Sequence, residues 1–197
     1  IPTLFNEDNS LDLEGQRQVV RFALDAGAHG VVFPGVASEY NFLTPDERGE
    51  LIGLVAKEVD GRVPIVGGAS APTPEEVILA GQQAASNGIN HLMIMAPGAL
   101  EKNLEAHQAF FREVSSGLPN AEIILQNAPS PIGAGLEPDA IASLAAGNAA
   151  ITYVKEETLP SGPAITTLTG SGIPHLKAVF GGGGARYIID ELNRGAL

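Results

Sequence analysis

The sequence predicts an α/β fold, specifically a (β/α)8 TIM barrel that stops before its eighth strand. Three observations predict it. Short apolar, β-branched runs recur roughly every thirty residues, at the spacing of βαβ units. Segments of helical periodicity fill the intervals between them. The first run is not followed by the glycine fingerprint of a dinucleotide-binding sheet. A doubly wound sheet of five or six strands is the competing architecture. Seven runs, and a chain that ends at Gly195-Ala-Leu where another strand is due, favour the barrel.

The expected strands are Ile1–Phe5, Gly30–Pro34, Val63–Gly67, His91–Ala96, Glu122–Gln126, Ile151–Lys155 and His175–Phe180. The first expected helix is Leu13–Ala26, where Val19, Val20, Phe22, Ala23 and Ala26 form an apolar stripe. Pro45–Val59, Thr73–Gly88, Asn103–Gly117, Glu137–Ala146 and about Ala185–Arg194 follow. Thr44-Pro-Asp-Glu and Thr73-Pro-Glu-Glu each supply a cap, a proline at the first helical position and acids at the positive dipole end. No stretch reads as a linker, so residues 1–197 are expected to be one barrel domain, incomplete at its C-terminus. The chain begins with Ile inside an expected strand, so its natural start is expected upstream.

Composition narrows the function classes. Hydrophobic residues make up 44% and charged residues 17%, the balance of a globular protein. The net charge is −12, which opposes binding to nucleic acid and to anionic membrane surfaces. There are no cysteines, which excludes disulfides, cysteine nucleophiles and thiolate metal sites. The four histidines are not spaced as a helical zinc pair, so no metal is expected. His91 opens a strand at the end away from the expected site and reads as structural. No signal peptide or membrane span is apparent, and a cytoplasmic location is expected.

In either architecture the site lies beyond the carboxyl ends of the strands. Lys155 ends an apolar run there, followed by Glu156 and Glu157. Alternation puts Tyr153, Lys155 and Glu157 on one face and Thr152, Val154 and Glu156 on the other. Desolvation lowers the pKa of a lysine inside a barrel and favours the neutral, nucleophilic amine. The plainer alternative is a lysine that reaches the rim or pairs with Glu157. Gln126 and Asn127 end the preceding run, either to contact substrate oxygens or to cap the strand end. The loop Gly35-Val-Ala-Ser-Glu can offer backbone N–H groups to a carboxylate or be an ordinary turn. Gly181–Gly184 can let a ligand approach the backbone or be a mobile loop.

These residues together resemble the dihydrodipicolinate synthase/N-acetylneuraminate lyase family of Schiff-base (β/α)8 enzymes, over nearly the whole chain. "PTLFN", "GVASEYNFLTPDER", "PIVGGAS", "MAPGALEKN" and "QNAPSPIGAG" resemble its successive motifs, and "YVKEE" resembles the segment carrying its imine lysine. The resemblance implies Lys155 as the Schiff-base residue, a small 2-keto acid as partner, no cofactor beyond the covalent lysine imine, and a homo-oligomer, commonly a tetramer. There are departures. The family's strand-5 tyrosine is Gln126, its strand-4 tyrosine is replaced at Gly98 or Ala99, the second threonine of its carboxylate loop is Ala37 with a hydroxyl at Ser38, and an expected arginine is Pro131. A tyrosine-threonine-tyrosine proton relay therefore has no residues here.

The runs "FPGVASEY", "NAPSPIGAG", "YVKEETLPSGP" and "GGGGARY" resemble most closely the branch of sugar-acid dehydratases acting on L-2-keto-3-deoxyarabonate. That implies a hydro-lyase of L-arabinose catabolism. In it Lys155 forms the imine, Glu157 handles protons and Gln126 orients a hydroxyl or water. Ser38 and the N–H groups of Val36 and Ala37 bind the substrate carboxylate, with Asn127, Gly181 and Gly182 lining the site. Two other functions stay open: a retro-aldol lyase, aldolase or synthase-like condensation on the same scaffold, and a non-catalytic sugar-acid-binding barrel.

Overall fold

Six strands and seven α-helices alternate along the chain in the computed structural model, which describes residues 1–197. In the sheet the strands follow chain order, β1 to β6. A doubly wound sheet would reverse its order at a switch point, so the order is that of a (β/α)8 barrel. The chain divides into two compact units, residues 1–69 with 79–92 and residues 70–78 with 93–197.

The first unit holds α1 (Leu13–Asp25), β1 (Val31–Phe33), α2 (Pro45–Val59) and β2 (Ile65–Gly68), with 3-10 turns at Val36–Ser38 and Tyr40–Phe42. The Asp12 side chain accepts the Gly15 N–H to start α1. Thr44 and Glu47 form a reciprocal capping box with Pro45 at the first position of α2, so this helix has the bounds its caps predict. β1 and β2 are parallel, Val31 opposite Ile65 and Phe33 opposite Gly67. Val20, Val31, Phe33, Leu51, Val55 and Val59 form the buried core. Gly68 is required by close approach, because a Cβ there would lie 1.5 Å from the Pro34 carbonyl oxygen.

The expected strand Ile1–Phe5 is not one of the six. Pro2 has no N–H to give a ladder, and the buried Gln16 side chain takes the neighbouring groups: Leu4 N–H donates to Gln16 Oε1 at 3.1 Å and Gln16 Nε2 donates to the Pro2 carbonyl at 3.0 Å. Phe5 makes only an isolated bridge with Leu11, while the Ile1 amino group donates to the Val32 carbonyl.

α3 (Pro74–Ser86) and β3 (His91–Ile94) pass from one unit to the other. The second unit continues with α4 (Leu104–Gly117), β4 (Glu122–Asn127), α5 (Pro138–Ala146), β5 (Ile151–Glu156), α6 (Gly162–Thr169), β6 (Ala178–Gly181) and α7 (Ile188–Asn193). β4, β5 and β6 are parallel neighbours. Phe111, Val114, Ile123, Ile141, Ile151, Val154, Ile165 and Leu168 are fully buried around them. The short α6 lies outside the helices expected from sequence, because its Pro and three Thr hide the periodicity. Beside β6, Leu197 N–H donates to the Val179 carbonyl at 3.0 Å.

Candidate active site

The carboxyl ends of β4 and β5 place two functional layers on opposite faces of the sheet. Gln126 lies opposite Lys155 in the ladder, and Asn127 opposite Glu156. On one face Lys155 Nζ meets Glu157 Oε1 at 2.5 Å, with both side chains only partly exposed, 29% and 17%. Gln126 Nε2 donates to both Glu157 oxygens at 3.2 Å. The amine, the carboxylate and the amide therefore form one hydrogen-bonded group. Below it on the same face Tyr153 stacks on Phe180, ring centroids 5.8 Å apart, and Phe180 is the ladder partner of Lys155. Lys155 is thus on the face the alternation predicts, and it is also paired with Glu157. That pairing is the plainer of the two sequence readings of this lysine.

Asn127, expected at the substrate, faces the other way because adjacent strand residues alternate. Its Nδ2 donates to the Leu136 carbonyl at 3.1 Å and to Glu156 Oε2 at 2.9 Å, and its Oδ1 accepts the Leu136 N–H. The amide is committed to holding the loop after β4. Glu156 is fully buried there. Burial pushes its carboxyl above the usual range, while hydrogen bonds from Thr158 and Asn127 pull it back.

Gly181, the last residue of β6, and Gly182 meet side chains of the protein. A Cβ on Gly182 would lie 2.2 Å from Glu157 Cγ, and one on Gly181 would lie 2.1 Å from Glu191 Oε2. Glu191 is buried and accepts the Ser161 hydroxyl at 2.5 Å. In the first unit, Val36, Ala37 and Ser38 form one 3-10 turn. Ser38 is buried, its hydroxyl donating to the Ile1 carbonyl at 2.5 Å and accepting the Gly35 N–H at 2.9 Å. The N–H groups of Val36 and Ala37 stand at the N-terminal end of that turn, where no intrahelical partner exists. No three His, Asp or Glu side chains gather to hold a metal, and no helix is long and apolar enough to cross a membrane.

Sequence reasoning overlooked Glu156, Thr158, Ser161 and Glu191. The available signal for the first pair was an acid on the helix-facing side of a strand with a hydroxyl residue two positions on. Nothing local marks Ser161 and Glu191 as partners 30 residues apart.

Arranged this way, an amine with an adjacent carboxylate can exchange a proton, attack a carbonyl and return a proton to a neighbouring carbon. Residues 1–163 match the Dihydrodipicolinate synthetase family. An uncharacterised DapA-like lyase of Halobacterium salinarum is 30% identical over 145 residues, 74% of this chain and 47% of that protein. A 4-hydroxy-tetrahydrodipicolinate synthase of Methanococcus vannielii is 31% identical over 150 residues, 76% of this chain and 52% of that protein. The chain thus spans about half the length of the curated relatives it matches. Among solved structures, a dihydrodipicolinate synthase family protein from Coccidioides immitis superposes with a TM-score of 0.88 at 29% identity, over 99% of this chain and 62% of that one. The 4-hydroxy-tetrahydrodipicolinate synthase of Methylacidiphilum fumariolicum gives 0.88 at 21% identity, over 100% and 64%, a likeness of fold. With the order of its strands and the match over residues 1–163, the chain belongs to the dihydrodipicolinate synthetase family.

Proposed function

We propose that this protein is a Schiff-base lyase acting on a 2-keto-3-deoxy sugar acid, and that it removes water from L-2-keto-3-deoxyarabonate to give 2-oxoglutarate semialdehyde. The observation that carries the reading is the 2.5 Å contact between Lys155 Nζ and Glu157 Oε1, with Gln126 holding the same carboxylate. Glu157 takes a proton from the lysine, and the free amine attacks the C2 carbonyl. Water leaves and an imine forms. The protonated imine draws electrons from C3, so Glu157 removes a C3 proton and an enamine forms. The enamine expels the C4 hydroxyl, which leaves as water with the proton from Glu157. A C5 proton is lost to water and a proton returns at C3, which gives the enol of the aldehyde. The enol takes a proton at C4 as its hydroxyl proton leaves, and hydrolysis of the imine frees the semialdehyde and Lys155. The lysine is the electron sink, so the scheme needs no metal or organic cofactor. Gln126 has no titratable proton, which is why the proton handling is assigned to Glu157.

Dehydration is supported by the resemblance of "NAPSPIGAG" and "YVKEETLPSGP" to sugar-acid dehydratases. Condensation or retro-aldol cleavage of a 2-keto acid is the second reading, favoured by relatives named 4-hydroxy-tetrahydrodipicolinate synthase. The backbone N–H groups of Val36 and Ala37 are proposed to bind a carboxylate. A cytoplasmic homotetramer completes the proposal. The tetramer is carried by the family resemblance alone.

Incubation with L-2-keto-3-deoxyarabonate tests the chemistry. Semialdehyde supports dehydration, released pyruvate supports cleavage, and no product with no covalent adduct means a binding protein.

A further inference from the structure

The end of β5 is held from behind by groups that take no part in the scheme above. Glu156 Oε2 accepts Asn127 Nδ2 at 2.9 Å. Glu156 Oε1 accepts the Thr158 N–H at 2.7 Å and also the Thr158 hydroxyl. The backbone reinforces the same rung: Glu157 N–H donates to the Asn127 carbonyl at 3.0 Å, and Gly182 N–H donates to the Glu156 carbonyl at 2.7 Å. No cation is among these partners of a fully buried carboxylate. A buried acid with only neutral donors is costly to keep, so its stabilising value alone is a weak reason for its presence. What it does geometrically is specific. The strand ends at Glu156, and the bond from its carboxylate to Thr158 N–H closes the chain around Glu157. The residue so enclosed carries the carboxylate that meets Lys155 at 2.5 Å.

We propose that Glu156 is a positioning residue: with Asn127 and Thr158 it fixes the turn after β5 so that Glu157 stays aimed at Lys155. The inference rests on the reading of Lys155 as imine former and Glu157 as proton carrier. Asn127 extends the clamp to the loop after β4, because the same amide that holds Glu156 also holds Leu136. Loosening the clamp leaves the lysine in its strand and lets the Glu157 carboxylate swing. Imine formation survives, and proton transfer at C3 slows. Misplacement of a reacting group by an ångström costs about a hundredfold in rate.

The test uses pyruvate as a minimal 2-keto acid with two readouts. Borohydride trapping with mass spectrometry reads imine formation on Lys155. Exchange of the pyruvate methyl protons for deuterium, followed by NMR, reads proton transfer at C3. Glu156→Gln and Thr158→Val are expected to keep the trapped yield and to slow exchange by about tenfold to a hundredfold. Thr158→Ser, which keeps the hydroxyl, is expected to exchange like the wild type. Should Glu156→Gln fail to fold, the Thr158 pair decides. Exchange in Thr158→Val within twofold of wild type overturns the inference, as does parallel loss of trapping and exchange. Absence of any adduct in the wild type instead overturns the reading of Lys155, a separate outcome.

Discussion

Replacing Gly182 by alanine perturbs the site through a single atom. An added Cβ would lie 2.2 Å from Glu157 Cγ, 3.0 Å from its Cδ and 2.9 Å from its Oε1. Carbon atoms pack no closer than about 3.5 Å without repulsion, so Cγ must move by about 1.3 Å or the side chain must change rotamer. Cγ is close to the backbone, so the carboxylate beyond it moves at least as far. Either response carries it off Lys155, where the contact is 2.5 Å. Gly182 is not among the glycines in the left-handed region, so its backbone accepts alanine. Alanine there lowers unfolded-state entropy, a stabilisation of about 0.4–1 kcal/mol that offsets part of the crowding. The expected result is a thermal midpoint close to wild type and a fall in pyruvate methyl-proton exchange of about a hundredfold. Gly183→Ala is the control, because its Cβ would meet only the tip of the exposed Leu159 side chain, at 2.8 Å. A folded Gly182→Ala protein that exchanges within twofold of wild type refutes the placement of Glu157.

Three further outcomes are expected. Glu157→Gln keeps imine trapping on Lys155 and lowers turnover by about 10²–10⁴-fold, the range of general acid–base catalysis; turnover at the wild-type rate removes Glu157 from the scheme. Glu156 has a folded-state pKa raised above 4.5 by burial, so its contribution to stability is full below the unfolded value and is lost as pH rises through the folded value. Urea midpoints of the wild type therefore decline with rising pH above 4.5, and Glu156→Gln flattens that decline; identical slopes contradict the burial argument. Phe111 is fully buried and packs edge-on to Phe110 at 5.4 Å, so Phe111→Ala costs about 3–5 kcal/mol in urea unfolding, and a loss under 1.5 kcal/mol would show the second unit's core repacks about it.

The features legible in the sequence were those set by local chemistry. Thr44-Pro-Asp-Glu placed the start of α2 at Pro45 because cap, proline and acid act within one turn. Alternation put Lys155 on its face of β5, and Glu157, one residue past the strand, keeps the direction that alternation gives it. The first apolar run failed as a strand for a tertiary reason: a glutamine fourteen residues beyond Pro2 takes its backbone groups. Asn127 and Gln126 look interchangeable as neighbouring amides, yet the pleat sends one to Glu157 and the other to the loop at Leu136. Gly181 and Gly182 read as room for a ligand, whereas the space is filled by Glu191 and Glu157. Such pairings depend on which distant residue arrives, and no local pattern encodes them.

The central claim is that Lys155 is the nucleophile. Incubation with pyruvate, reduction with borohydride and peptide mapping by mass spectrometry test it directly. The account predicts one reduced adduct, located at Lys155 and abolished in Lys155→Arg. An unmodified Lys155, or an adduct confined to Lys57, Lys102 or Lys177, would contradict it.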